Sequence, residues 1–133
     1  MSALEVERID GVPVARCKQD IDGDNAQAIQ AQLSACIGPD TDSVVLDLSA
    51  ARYVDSAGLD MLFRFGERLA QRRSALLLVI PEDSQLNRLA ALVALPQAVA
   101  VHATVEGALH AIAQAEQRRA GQAPVTDGGE TPG

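Results

Sequence analysis

Tryptophan is absent from this 133-residue chain, tyrosine occurs once and phenylalanine twice. A sequence so poor in aromatic rings lacks the platforms on which single-stranded bases stack. Basic charge is scarce too: 11 Lys and Arg stand against 18 Asp and Glu, a formal net charge of -7. The phosphate-neutralising surface of a nucleic-acid binder is missing, and the same acidity opposes docking on an anionic membrane, which a local basic patch such as Arg72-Arg73 is too small to overcome. No run approaches the ~18 to 20 apolar residues a membrane span needs. The opening "MSALEVERIDG" lacks the charged-then-apolar order of a signal peptide. A cytoplasmic protein is the expectation. The two cysteines, Cys17 and Cys36, fall in apolar patterns without metal-ligand spacing, which predicts reduced core thiols and neither disulfide nor zinc. His102 and His110 have no carboxylate or cysteine constellation around them, and no Gly-rich phosphate loop occurs. Neither a metal nor a cofactor is expected.

A hydrophobic content of 47% in a chain of this length suffices for one core of ordinary size. "LEVERI" and "VPVARC" alternate apolar and polar residues around Asp10-Gly11, a hairpin signal, and Pro13 marks an edge strand or a strand beginning. Ala26, Ile29, Leu33, Cys36 and Ile37 recur at helical spacing, predicting a helix over about 25–37. "SVVLDL" at 43–48 and "SALLLVIP" at 74–81 read as strands buried on both faces. Between them a helix opens at Ser56 or Ala57, with Leu59, Leu62, Phe63, Gly66, Leu69 and Ala70 as its core stripe and Met61 turned away from it. Asp83 or Ser84 caps a further helix that Pro96 ends, "AVAVHA" gives a last strand, and Thr104 caps a C-terminal helix. The order predicts an α/β fold: one small, mixed and mainly parallel sheet with an N-terminal β-hairpin and four helices. Residues 1–118 form the domain, and 119–133, rich in Gly and Pro, form a disordered tail.

Asp55-Ser56 sits where strand hands over to helix, and two readings stand side by side. Ser56 caps the helix, or its hydroxyl is offered to a partner that phosphorylates it. A serine hydrolase would need a Gly-x-Ser-x-Gly elbow, which "YVDSAG" lacks.

"VVLDLSAARYVDSAGLDMLF" resembles the signature of the STAS domain, shared by bacterial anti-sigma-factor antagonists and sulfate transporters. Its core is an apolar strand ending in Asp-Leu, then Asp-Ser-x-Gly-Leu opening a helix, here Val44 to Leu48, Asp55, Ser56, Gly58 and Leu59. The resemblance implies that Ser56 is the phosphoacceptor. A Gly-Glu-aliphatic-Asp element of the family is matched in part by "QDID", where Ile21 and Asp22 fit, Asp20 is a conservative replacement and Gln19 departs. Asp60 stands where a second glycine is common.

The resemblance implies a regulatory binding module, not an enzyme. Unphosphorylated, it binds an anti-sigma factor that is also a serine kinase, through Asp22, Asp55, Ser56, Ala57, Gly58, Asp60 and an exposed Met61; phosphate on Ser56 breaks the complex, and a phosphatase resets it. A monomer or weak dimer is expected. Two rivals are a STAS subunit of a lipid-type ABC transporter and a small-ligand sensor with an apolar groove.

Overall fold

The computed structural model describes residues 3–122. Strands β1 (Leu4–Ile9) and β2 (Val12–Cys17) pair antiparallel across Asp10-Gly11. Both turn residues have positive φ, 53° and 81°, as a two-residue type I′ turn requires. Then β3 (Ser43–Asp47), β4 (Ala75–Val79) and β5 (Ala100–His102) add in parallel, giving one five-stranded sheet in the order β1-β2-β3-β4-β5. Pro13 lies in an interior strand, not at an edge. The arrangement is tolerated because Ile9–Val12 closes the hairpin, which makes Arg8–Pro13 a non-hydrogen-bonded pair, and because the ladder with β3 begins only at Val14.

Alternation along the buried strands divides the core. Val44, Leu46, Leu76 and Leu78 face α1 (Ala26–Ala35), α2 (Ser56–Gln71), α3 (Gln85–Leu92) and α4 (Leu95–Ala98). Val45, Leu77 and Val79 face the other way, onto Ala108 and Ile112 of α5 (Val105–Gln122). Runs of apolar residues were needed in β3 and β4 because both faces are covered. Among the described residues five helices replace the four expected. Pro96 does not end α3; it occupies the first turn of α4, where its missing N–H costs nothing, and Ala94, at φ 58°, makes the corner between the two. Helix α5 runs to Gln122, past the boundary placed at 118; the remaining residues of that tail, 123–133, lie outside the described residues. Among the described residues no helix is long and apolar enough to cross a membrane.

Helix α2 is rotated from its expected setting. Its buried face is Gly58, Met61, Leu62, Phe65 and Leu69, whereas Leu59 and Phe63 are only partly buried and Ala70 is exposed. Met61, expected on the surface, is 5% exposed and belongs to the main core. The cause lies at the N-terminus of the helix, where Gly58 presses against Ile21 and Val54 and so fixes which side of α2 turns inward.

Candidate functional site at the N-terminus of helix α2

Parallel strands β2 and β3 end on the same edge of the sheet, so the loops that follow them leave side by side. They are stitched together by five hydrogen bonds. Asp20 Oδ1 accepts from the backbone N–H of Arg52 at 2.7 Å and of Tyr53 at 3.2 Å. Ile21 N–H donates to Tyr53 O at 3.1 Å, and Asp55 N–H donates back to Ile21 O at 3.0 Å, a one-residue parallel bridge between Ile21 and Val54. Both side chains in that bridge are fully buried. Finally, Gly23 N–H donates to Asp55 Oδ2 at 3.1 Å.

Asp55 then uses its other oxygen as the helix cap: Oδ1 accepts from Gly58 N–H at 2.9 Å. Capping by Ser56 is thereby corrected. The serine is the first helical residue, it is exposed, and its hydroxyl has no hydrogen-bond partner among the described residues. The helix's first orphan donors divide the same way. Gly58 N–H is taken by the Asp55 carboxylate and Leu59 N–H by the Asp55 carbonyl, while the amides of Ser56 and Ala57 keep no acceptor among the described residues.

Gly58 is required here by close approach. A Cβ added to it would stand 2.7 Å from Val54 Cγ1, 2.8 Å from Ile21 Cγ2 and 3.1 Å from Ile21 O. Those atoms belong to buried β-branched side chains and to the bridge backbone, so none can swing aside. Gly58→Ala is expected to destabilise the fold by about 1 to 3 kcal/mol through overpacking, despite alanine's better helix propensity. Urea unfolding measures it; a stabilised variant would mean that the two loops do not meet as described.

The acidic residues have distinct surroundings. Asp22 is half-buried, and its Oδ1 accepts from Asp24 N–H at 2.9 Å and Asn25 N–H at 3.1 Å, ordering the entry to α1. Its loop neighbour Gly23 lies beside Ala57. Asp60 is exposed and paired with Arg64 one turn on, at 2.8 Å, so its charge is partly offset. Thus the structure gathers Asp22, Asp55, Ser56, Ala57, Gly58 and Asp60 at one end of α2 and takes Met61 away into the core. Asp20 was legible only as a conservative replacement; its bracing of Arg52 and Tyr53 spans more than thirty residues and has no local signal. Burial raises the Cys17 thiol above its ordinary pKa, and Cys36 is raised for the same reason although it is only half-buried and lies outside the core in which the sequence placed it, so both remain protonated thiols at neutral pH. Neither cysteine is in a disulfide. A cleft of about 370 Å³ lies at the opposite end of the sheet, lined mostly by polar residues such as Arg8, Asp10, Asp42 and Glu116.

A mainly parallel five-stranded sheet with an antiparallel hairpin at one edge, its helices on both faces and one of them opening at Ser56 after β3, defines the α/β class to which the chain belongs. The sequence profile of the STAS domain matches residues 3–108, and the chain belongs to that family. It is 32% identical over 75 residues to BtrV of Bordetella bronchiseptica, a candidate anti-sigma factor antagonist; the match covers 56% of this chain and 65% of BtrV, just under two thirds of its length. The crystal structure of an anti-sigma factor antagonist from Mycobacterium paratuberculosis superposes with a TM-score of 0.71 at 28% identity, covering 84% of this chain and 97% of that one. The unphosphorylated form of the antagonist SpoIIAA shares the fold at 17% identity, with a TM-score of 0.62 over 83% of this chain and 97% of its own.

Proposed function

We propose that this protein is an anti-sigma-factor antagonist that acts in the cytoplasm by partner switching. Unphosphorylated, it binds an anti-sigma factor that is also a serine kinase and so frees a sigma factor for transcription. Transfer of the γ-phosphate of ATP to Ser56 breaks the complex, and a separate phosphatase restores it. The chain is a kinase substrate and not an enzyme, monomeric or weakly dimeric, and it has no nucleic-acid partner.

The observation that carries this reading is the state of the Ser56 hydroxyl. Other hydroxyls at helix starts are in use: Ser84 Oγ accepts from Asn87 N–H at 3.1 Å, and Thr104 Oγ1 from Gly107 N–H at 2.9 Å. Ser49 Oγ, in the same loop as the site, donates to Asp47 Oδ1. Ser56 is instead relieved of capping by Asp55 and stands exposed beside two amides with no acceptor. Those amides and the helix dipole favour an added phosphate, so the modified side chain has a place to rest without unfolding the helix. Membership of the STAS family and the similarity to antagonists at 28% and 32% identity support the same reading.

Incubation with ATP and the purified anti-sigma serine kinases of the source genome tests it by intact mass. One phosphate is expected on the wild type and none on Ser56→Ala. Phosphate on Ser49 or Thr104, or none with any kinase, would overturn the assignment and move weight to the transporter-subunit reading.

A further inference from the structure

We propose that Tyr53 is the aromatic anchor by which the surface around Ser56 holds its protein partner, seated in an apolar pocket of that partner behind a cationic rim. The identity of the partner rests on the antagonist reading; the anchor adds where the binding energy is concentrated.

Tyr53 is the single tyrosine of the chain and is 55% exposed, whereas Phe65 is 2% exposed and Phe63 packs partly against the core. A lone exposed ring is ordinary on a protein surface. What distinguishes this one is that its backbone is fixed on both sides. Its N–H donates to Asp20, its carbonyl accepts from Ile21, and the next residue, Val54, is completely buried in the bridge. Such a ring is presented on a rigid support, so little backbone freedom is lost when a partner covers it. Tyrosine also has few rotatable bonds for its area and is enriched among residues that dominate binding energies.

Its position agrees. Tyr53 precedes Ser56 by three residues, on the loop that Asp20 and Asp55 tie to the Asp22 segment. Met61, the apolar contact that the sequence nominates, is withdrawn into the core. The other large apolar side chains exposed among the described residues are Val6, Leu92 and Val93, on β1 and at the end of α3, away from α2's first turn. Tyr53 is therefore the large apolar side chain available at this end. Asp20, Asp22 and Asp55 lie on the two braced loops that carry it and Asp60 follows on α2, against the cations Arg52, its exposed chain neighbour, and Arg64, which pairs with Asp60, so acidic charge is in excess. Complementarity calls for a partner surface with positive charge at its rim.

The test is calorimetric titration of wild type, Tyr53→Ala, Tyr53→Phe and Ser56→Asp with each purified anti-sigma serine kinase of the source genome, without hydrolysable nucleotide. Tyr53→Ala is expected to weaken binding roughly tenfold to hundredfold, and Tyr53→Phe to stay within about threefold of wild type. Both should melt as wild type does, since the bond to Asp20 uses the main chain. Wild-type affinity in Tyr53→Ala, with Ser56→Asp weakened, would overturn the anchor and leave the antagonist reading standing. Equal losses in the Ala and Phe variants would overturn it as an apolar contact. If no kinase binds wild type, the antagonist reading fails and the partner assigned to Tyr53 falls with it.

Discussion

Met61→Ala is expected to lower the stability of the fold by about 2 to 5 kcal/mol, as much as truncating its neighbour Leu62. Both side chains sit in the main core cluster with Phe65 and Leu69, Met61 at 5% exposure and Leu62 at 0%. Alanine removes three side-chain heavy atoms from each, and the rigid sheet beneath leaves little room for the cavity to collapse. Equilibrium urea unfolding measures the loss. The comparison is sharp because the core stripe expected from the sequence, through Leu59, Leu62 and Phe63, leaves Met61 on the solvent face, where alanine would change stability by no more than about 0.5 kcal/mol. A loss that small would return α2 to its expected setting, expose the methionine beside Ser56, and displace Tyr53 as the apolar contact.

That helix also marks where the sequence stops being informative. Its strands and helices are legible because apolar runs at 43–48 and 74–81 and helical spacing between them leave few alternatives. The rotation of α2 is not, because "GLDMLFRFG" carries large apolar residues on two adjoining sides: Leu59 and Phe63 on one, Met61 and Phe65 on the other. Periodicity alone allows either stripe. The choice is made by Gly58 meeting Ile21 and Val54, a contact between segments far apart in the chain. The cap is undecided for a similar reason, since Asp and Ser are almost equally good N-caps and stand next to each other. Only the arrival of Gly23 against the second oxygen of Asp55 fixes the aspartate and frees the serine. Ser56 itself, the Asp22 segment and the approach of the two loops were legible through the family signature. The brace from Asp20 was not, because a carboxylate that ends on the amides of Arg52 and Tyr53 leaves no periodic trace.

Phosphate on Ser56 is expected to abolish the partner complex, and Ser56→Asp to reproduce part of that loss, by an argument the cap geometry makes quantitative. Because Asp55 holds Gly58 N–H, Ser56→Ala removes no hydrogen bond and should cost well below the ~1 kcal/mol of a lost cap, whereas Asp55→Ala should cost that much or more, since it also releases Gly23. The alanine variant should therefore fold, bind the partner and stay permanently active. A phosphoserine instead brings about -1.5 to -2 charges to a helix start already flanked by Asp55 and Asp22. The two free amides can stabilise that group within the protein, so the protein itself stays folded; the penalty falls on the complex, where the partner groups that met the bare hydroxyl of Ser56 now meet a bulky dianion. Aspartate supplies a single charge on a shorter arm and should weaken binding less. If the cause is repulsion from acidic groups of the partner that face Ser56 inside its cationic rim, raising salt from low ionic strength to ~0.15 M, where the Debye length is ~8 Å, should narrow the gap between Ser56→Asp and wild type. A gap indifferent to salt would make the block steric. Wild-type affinity in Ser56→Asp, together with undiminished binding by the phosphorylated protein, would remove Ser56 as the switch, and with Asp55 already serving as the cap no structural duty would remain to explain it.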